Sequence, residues 1–162
     1  MNRLPKTLIG RVEEITLVDY GNLLVHAKVD TGADRSSIWA SDIIEQDGIL
    51  SFVLFGSTSA YYTGQVMKLP ASKFSEVVVE NSFGNRELRY LVKLRIKLAG
   101  RLVRASFTLA DRSVKTYPVL LGRRLLSGKF LVDVSSGKPL KDLEKKHDIE
   151  RQAHIKMNRK KI

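Results

Sequence analysis

A short stretch early in the chain contains residue types that hydrolytic chemistry uses. Asp30 ends an apolar segment and is followed at once by Thr31, Gly32 and Ala33. Asp, Thr and Gly are common in turns, so the stretch could be no more than a turn. A carboxylate can also act as a general base on water when a second acid lies beside it. These residues alone leave both interpretations open, and the second one requires another carboxylate.

The segments that must position Asp30 have the patterns of short β-strands. Leu8–Val18 and Leu23–Val29 are apolar and flank a Tyr-Gly-Asn turn, which predicts a hairpin. In Val92–Leu98 apolar residues alternate with three cations, which predicts a strand with one buried and one solvated face. Many short strands with recurrent turn residues predict an all-β fold, either a small closed or partly open barrel or a sandwich.

Other parts of the chain predict a second hairpin, one short helix and a separate tail. The turn residues of Asn81–Asn85 lie between two strand-like segments near Glu76–Tyr90. A short helix is expected after Gly122. The strong apolar pattern ends soon afterwards. We therefore divide the chain into a domain of residues 1–137 and a basic extension of residues 138–162 that is helical or disordered.

Composition excludes several classes of protein. The chain has 162 residues, which fits one domain, and no cysteine, which excludes disulfides, thiolate metal sites and cysteine nucleophiles. No apolar run approaches the roughly 18 residues that a membrane helix needs. The N-terminal segment lacks the continuous apolar core of a secretory signal, so we expect a cytoplasmic protein without membrane contact.

The net charge of +11 is concentrated in two segments. Residues 86–104 hold seven Lys or Arg against one Glu, and residues 138–162 hold nine against four acids. Such patches favour polyanions, whether nucleic acid, a membrane surface or an acidic peptide. They could equally be solvated surfaces that keep the protein soluble.

The Asp-Thr-Gly stretch and a later apolar segment together resemble the retropepsin-like aspartic proteases. In that family an apolar strand leads into Asp-Thr-Gly-Ala. A later apolar-apolar-Gly-Arg, followed by a helix, packs against that loop. Here Val29–Ala33 and Leu120–Arg123 match these two elements. A hairpin flap and a strand pair come between them, in the same order as in the family.

The closer resemblance is to a bacterial family that is named as ATP-dependent zinc proteases and has been linked to enzymes that ligate glutamate onto a ribosomal protein. The sequence departs from its pattern at Asp34 and Trp39, where a basic residue and a histidine are more usual. Five ordered motifs match: Ile9-Gly10, Ala27–Ala33, Ala110–Ser113, Tyr117–Arg124 and Phe130–Asp133.

The resemblance implies a homodimeric peptidase with a retropepsin-type barrel. One chain supplies one carboxylate, so the catalytic pair would be Asp30 from each of two chains. One acid would be neutral, and the charged one would activate water. Thr31 would donate its hydroxyl to the facing loop, Gly32 would allow close backbone approach, and the flap would clamp an extended peptide or protein substrate. The basic segment at the flap and the linked ligases suit a glutamate-rich peptide.

The resemblance also implies residues that bind substrate or support the catalytic loop. The positions of Asp34 and Arg123 form an ion pair near the dimer interface in retroviral relatives, although here they could be independent surface charges. Arg112 could bind a substrate carboxylate through its planar guanidinium or form a structural salt bridge with Asp111 or Asp34. Ser36 could contact substrate or cap the loop. The full set is Ala33, Asp34, Ser36, Arg112, Gly122 and Arg123.

Two other functions remain open at this point. A non-catalytic binding module of the same fold would dock on RNA or a ribosomal surface through residues 138–162. A zinc hydrolase would need metal ligands, but the chain has no His-Glu-x-x-His motif, and its histidines are His26, His147 and His154. It also has no Walker-type phosphate loop. We therefore predict no metal and no cofactor.

Overall fold

The chain is built from short and medium strands joined by tight turns, with one long helix near its C-terminal end. The computed structural model describes residues 4–160. In chain order the elements are β1 (Thr7–Ile9), β2 (Val12–Leu17), β3 (Leu23–Val29), β4 (Ser36–Gln46), β5 (Ile49–Leu54), β6 (Val66–Pro70), a 3-10 turn (Ala71–Lys73), β7 (Phe74–Glu80), β8 (Arg86–Leu98), β9 (Arg101–Ala110), β10 (Val119–Leu121), α1 (Arg123–Leu126), β11 (Phe130–Val132) and α2 (Lys141–Arg159).

Six strands close a barrel. Neighbouring strands pair in the order β10-β3-β2-β8-β9-β4, and β4 pairs back with β10, so the circle is complete. β5 and β6 continue the sheet outward from β4, while β7 pairs with β8. The predicted all-β fold is confirmed, and it is the closed barrel rather than the sandwich.

The barrel interior is filled by the apolar residues of the alternating strands. Val92, Leu94, Ile96 and Leu98 of β8 are buried, while the cations between them are exposed. The predicted strand is therefore confirmed, and the structure extends it to Arg86–Leu98. This alternation fixes the register of β8 against β2 and β9, because a shift by one residue would place the cations inside.

The hairpin of β7 and β8 forms a flap beside the barrel. The two strands pair along the whole length of β7, and the tip carries the exposed Phe83. Asn81 organises this tip, because its side-chain Oδ1 accepts hydrogen bonds from the backbone N–H groups of Phe83 and Asn85 at 2.9 and 3.0 Å. The predicted turn at residues 81–85 is therefore present.

Three segments differ from the predicted pattern. The apolar run Leu8–Val18 is broken into β1 and β2 at Gly10, where the backbone of Gly137 comes so close that a Cβ atom would overlap it. β1 pairs in parallel with β11 instead of continuing the hairpin. The long β4 bends outward at an irregularity near Asp42, which has a φ of 51°, and the sequence pattern predicts neither β4 nor β6.

Residues 141–159 form a single helix, α2, so this part of the basic extension is helical. Its first two turns include half-buried side chains, whereas residues 148–160 are exposed throughout. The other predicted helix, α1, occupies one turn directly after Gly122. None of the helices within residues 4–160 combines the length and the hydrophobicity that a membrane-spanning segment needs.

Candidate active site

Asp30 lies at the end of β3, where the barrel closes. β3 and β10 run parallel, with Val29 opposite Leu121. The backbone N–H of Asp30 donates to the carbonyl oxygen of Leu121 at 2.9 Å. The two apolar strands of the sequence analysis therefore lie side by side, and their pairing brings the Asp-Thr-Gly stretch next to Gly122.

The carboxylate of Asp30 builds its own turn with one oxygen. Oδ1 accepts hydrogen bonds from the backbone N–H groups of Gly32 at 3.0 Å and Ala33 at 3.2 Å. No donor within residues 4–160 bonds to Oδ2, and the side chain is half-buried. Asp30 is thus a turn former that also keeps one carboxylate oxygen available for chemistry.

Two contacts join the Asp30 loop to the Gly122 turn. The hydroxyl of Ser36, which is 1% exposed, accepts a hydrogen bond from the backbone N–H of Gly122 at 3.0 Å. A Cβ atom at Gly122 would lie 2.5 Å from the carbonyl carbon of Arg35, so this close approach requires glycine. Of the two roles considered for Ser36, the geometry favours loop support.

The first turn of α1 holds the loop from its other side. The backbone N–H groups of Arg123 and Arg124 donate to the carbonyl oxygens of Ala33 and Asp34 at 2.8 and 3.1 Å. The guanidinium of Arg123 also donates to the carbonyl oxygen of Gly32 at 2.7 Å. These bonds satisfy the loop carbonyl groups and fix the loop against the barrel.

Asp34 lies in a small cluster of half-exposed charges. Its closer partner is Arg124, whose Nε is 3.0 Å from Oδ2, while the guanidinium of Arg123 is 3.8 Å from Oδ1. The pair of Asp34 and Arg123 is therefore present but long, and sequence reasoning missed Arg124. Because these side chains are exposed, each pair contributes only ~0.2–1 kcal/mol. Thr31 is exposed on the same loop.

Arg112 follows β9 and lies close to both Asp30 and the flap. Its Nε donates to the carbonyl oxygen of Tyr117 at 3.1 Å, and it forms no salt bridge with a carboxylate of residues 4–160. Burial and the nearby guanidinium of Arg89 lower the pKa of Arg112 to about 10, while Asp30 acts in the opposite sense. A partly buried cation without a carboxylate partner is costly, and an anionic ligand would relieve that cost.

Two clefts meet at Asp30, Arg112 and Leu120. The flap-side cleft, of about 670 Å³, runs under β7 and past the loop that contains Asp34. The α2-side cleft, of about 750 Å³, runs along residues 114–117 to α2. Together they form a groove on both sides of Asp30, which is the shape that an extended peptide requires.

A hydrogen-bonded network ties α2 to its cleft. The guanidinium of Arg11 donates to both carboxylate oxygens of Glu144 at 2.8 and 3.0 Å, and the hydroxyl of Tyr117 donates to the same carboxylate at 2.6 Å. The bond from Arg11 lowers the pKa of Glu144 to about 2, although burial opposes it. Burial and the Glu144 carboxylate raise the pKa of Tyr117 to about 12.

The histidines make separate local contacts. The Nδ1 atom of His26 lies 3.0 Å from the hydroxyl oxygen of Tyr61, and that of His147 lies 2.9 Å from the hydroxyl oxygen of Thr116. Within residues 4–160, no three His, Cys, Asp or Glu side chains are grouped so that they could hold a metal ion. The zinc interpretation therefore has no ligand set in this part of the chain.

The structure brings the residues singled out by sequence together at one end of the barrel. It adds three residues that sequence reasoning missed. Arg124 could have been suspected from its place beside Arg123, whereas Arg89 and Glu144 carry no local signal. The predicted residues around the loop are Asp30, Thr31, Gly32, Ala33, Asp34, Ser36, Arg112, Gly122 and Arg123.

Comparisons with known proteins show the family of the chain. A family model described as "Retropepsin-like aspartic endopeptidase RimB" matches residues 8–140. Two curated relatives are each named "Probable alpha-L-glutamate ligase": over 134 residues, the one from Desulfotalea psychrophila is 28% identical and the one from Shewanella pealeana is 31% identical. The alignments cover 80% of this chain but 28% and 29% of the relatives, so the chain spans less than a third of their length.

A solved structure of a Legionella pneumophila protein of unknown function has a similar fold. Its TM-score to this chain is 0.62 at 29% sequence identity, and the match covers 82% of this chain and 97% of that one. The family match spans the barrel, the flap, the Asp30 loop and α1, which are the elements that position Asp30. The chain therefore belongs to the RimB-like family of retropepsin-like aspartic endopeptidases.

Proposed function

We propose that the chain is a homodimeric aspartic peptidase that hydrolyses peptide bonds with water activated by two Asp30 carboxylates. The observation that carries the proposal is the place of Asp30, half-buried where two clefts meet and with Oδ2 unbonded within residues 4–160. Membership of an aspartic endopeptidase family supports the same chemistry.

The second carboxylate comes from a second copy of the chain. A two-fold axis beside the loop brings Asp30 next to its counterpart, in an isologous contact that requires no other type of residue. Thr31 is exposed on the same loop, and in the proposed dimer its hydroxyl donates a hydrogen bond to the partner loop. The α1 and Ser36 contacts keep each loop rigid enough for the two acids to meet.

The two carboxylates share one proton, because two negative charges so close together are costly. The charged acid takes a proton from water as the water oxygen attacks the carbonyl carbon. The neutral acid donates a hydrogen bond to the carbonyl oxygen as negative charge develops there. A proton then passes to the leaving nitrogen as the C–N bond breaks.

Acidic peptides are the proposed substrates. Arg112 lies beside the catalytic carboxylate without a carboxylate partner in residues 4–160, and Arg89 of the flap strand lies close to it. A planar guanidinium binds a carboxylate side chain through two parallel hydrogen bonds. The curated relatives are named as glutamate ligases, which favours glutamate-rich peptides among the acidic ones.

Asp30→Asn tests this function. The full chain is incubated with a quenched-fluorescent hexaglutamate peptide and with its hexaglutamine counterpart at several salt concentrations. We expect the acidic peptide to be cleaved faster, with a rate that falls as salt rises, and Asp30→Asn to lose activity by about 10³-fold. Asp47→Asn, an exposed turn residue, is the matched control. Wild-type activity in Asp30→Asn would refute the assignment.

Sedimentation at the assay concentration tests the dimer. Full activity in a sample that contains only single chains would contradict a site built from two copies of Asp30. A loss of specific activity on dilution, in step with dissociation, is the expected result.

A second candidate function is a non-catalytic module that docks on RNA or a ribosomal surface. The observation that favours it is the exposure of residues 148–160, which project basic side chains into solvent. Truncation after Gln152 separates the two functions, because it leaves in place the Glu144 anchor and the α2 residues that line the cleft beside Asp30. If the truncated chain loses RNA binding but still hydrolyses peptides, the end of α2 is an accessory binding segment of a peptidase. A cytoplasmic location is proposed for both functions.

A further inference from the structure

The α2-side cleft has a wall to which the proposed mechanism gives no role. Glu144, Asp148 and Arg151 of α2 line this cleft. Their spacing of four and three residues places them on one face of the helix. The other lining residues include Lys28 of β3 and Lys115 of the loop before β10.

Ion pairing leaves this cleft with unmatched positive charge. Glu144 is neutralised by Arg11, and Asp148 pairs with Arg151 at 3.2 Å. Neither lysine of the cleft has a salt bridge in the part of the chain that the structure describes. Among the described residues that line the cleft, the one further carboxylate is Asp30, which the proposed mechanism uses with a shared proton.

Lys28 also lies close enough to Glu144 to help lower the pKa of that carboxylate. Both carboxylate oxygens of Glu144 are already occupied by Arg11, and one of them also by Tyr117. Lys28 therefore keeps its hydrogen-bonding capacity for a ligand.

Hydrogen bonds hold the two walls of the cleft together. The hydroxyl oxygen of Thr116 lies 2.9 Å from Nδ1 of His147, and the Tyr117 hydroxyl donates to Glu144 at 2.6 Å. Lys115 directly precedes these two residues, so its backbone is held against α2. An anion that enters the cleft meets cations on a fixed framework, which lowers the cost of ordering them on binding.

We propose that α2 completes the substrate cleft and that Lys28, Arg112 and Lys115 form a subsite for side-chain carboxylates of the bound peptide. The inference rests on the proposed function for the place of the scissile bond beside Asp30. The subsite itself belongs to the folded chain and binds anionic peptides whether or not they are cleaved. In a two-fold dimer it occurs twice, once on each side of the Asp30 pair.

Peptide binding to the full chain tests the subsite. Fluorescence anisotropy is measured with labelled hexaglutamate and hexaglutamine peptides on an Asp30→Asn background, so that hydrolysis does not consume the probe. The test variant carries Lys28→Glu and Lys115→Glu. The matched control carries Lys145→Glu and Lys146→Glu, which make the same change in net charge at exposed positions of α2 outside the cleft lining.

We expect the test variant to bind hexaglutamate about tenfold more weakly at low salt, because it loses two exposed ion pairs and each is worth up to a factor of about five. The control variant should change the same affinity by less than about threefold, since its charges lie outside the cleft lining. Binding of hexaglutamine should be equal in all proteins. An equal loss in the test and control variants, or no loss in either, would overturn the subsite.

This result is independent of the proposed catalysis. Wild-type cleavage by Asp30→Asn would refute the peptidase, while the anisotropy comparison would still decide the subsite. Circular dichroism establishes that each variant is folded. If the double variant does not fold, Lys115→Gln replaces it, because Lys115 is exposed in a loop. An affinity for hexaglutamate that Lys115→Gln leaves unchanged would equally overturn the proposal.

Discussion

Replacing Glu144 by Gln should weaken the attachment of α2 in a way that depends on pH. The Glu144 carboxylate accepts two hydrogen bonds from Arg11 and one from Tyr117, which hold its pKa at about 2, against an ordinary value of 4.5. A pKa that is lower in the folded protein means that the ionised form stabilises the fold. That stabilisation is complete above about pH 5 and disappears as the pH falls through about 2.

The magnitude follows from the shift and from solvent exposure. The full shift corresponds to about 3 kcal/mol, at about 1.4 kcal/mol for each pKa unit. The side chains of Arg11 and Glu144 are 40% and 25% exposed, so solvent screens part of this interaction. For Glu144→Gln we expect the free energy of unfolding at neutral pH to fall by about 1–2 kcal/mol, because the amide keeps one acceptor oxygen.

Urea unfolding of wild type and Glu144→Gln over a series of pH values provides the assay. The difference between their free energies of unfolding should be largest near neutral pH and should vanish near about pH 2. Glu150→Gln, at an exposed position of the same helix, is the control and should leave the free energy unchanged. A difference of constant size across the pH range would refute the role of the ionised carboxylate.

Two further predictions concern the Asp30 loop and its cation. Gly122→Ala should lower the free energy of unfolding by about 1–3 kcal/mol and reduce activity, because its Cβ would meet the Arg35 backbone. Gly21→Ala is the control, because residue 21 lies in open space at a φ of +64°. It should lower the free energy of unfolding by only ~1 kcal/mol and leave activity intact. Equal effects of the two substitutions would contradict the close approach of Gly122 to Arg35. Arg112→Lys should raise KM for hexaglutamate about tenfold with little change in kcat; an unchanged KM would count against carboxylate binding.

The fold could be predicted where apolar and polar residues alternate within a single strand. The alternation in Val92–Leu98 places one face in the barrel and the other in solvent, and the structure agrees. The loop of Asp30 and the turn of Gly122 could be brought together only through the resemblance to a known family. No local pattern shows that β3 and β10 are parallel neighbours, since their pairing is set by closure of the barrel.

The parts that could not be predicted depend on contacts between distant segments. Arg11 and Glu144 are 133 positions apart, and Glu144 lies in a segment whose composition indicates only a basic tail. Trp39 is buried against Gly56, at which a Cβ atom would lie 2.5 Å from the indole ring. The large side chain of Trp39 therefore fits because residue 56 has no side chain, and a single sequence does not reveal such a match between distant positions.

The side chain of Asp30 has two roles, because it shapes the turn and supplies the proposed catalytic carboxylate. Oδ1 of Asp30 accepts hydrogen bonds from the backbone N–H groups of Gly32 and Ala33. The loop therefore requires an acceptor at this position whether or not Asp30 is catalytic. A proton on Oδ1 would point at hydrogen-bond donors, because the N–H groups of Gly32 and Ala33 already donate to this oxygen. In the proposed pair the shared proton therefore lies between the two Oδ2 atoms. Asparagine at this position keeps a carbonyl oxygen for the loop and removes the proton-accepting oxygen. Loss of activity in Asp30→Asn therefore reports on the chemistry, whereas Asp30→Ala would also remove the acceptor that shapes the loop.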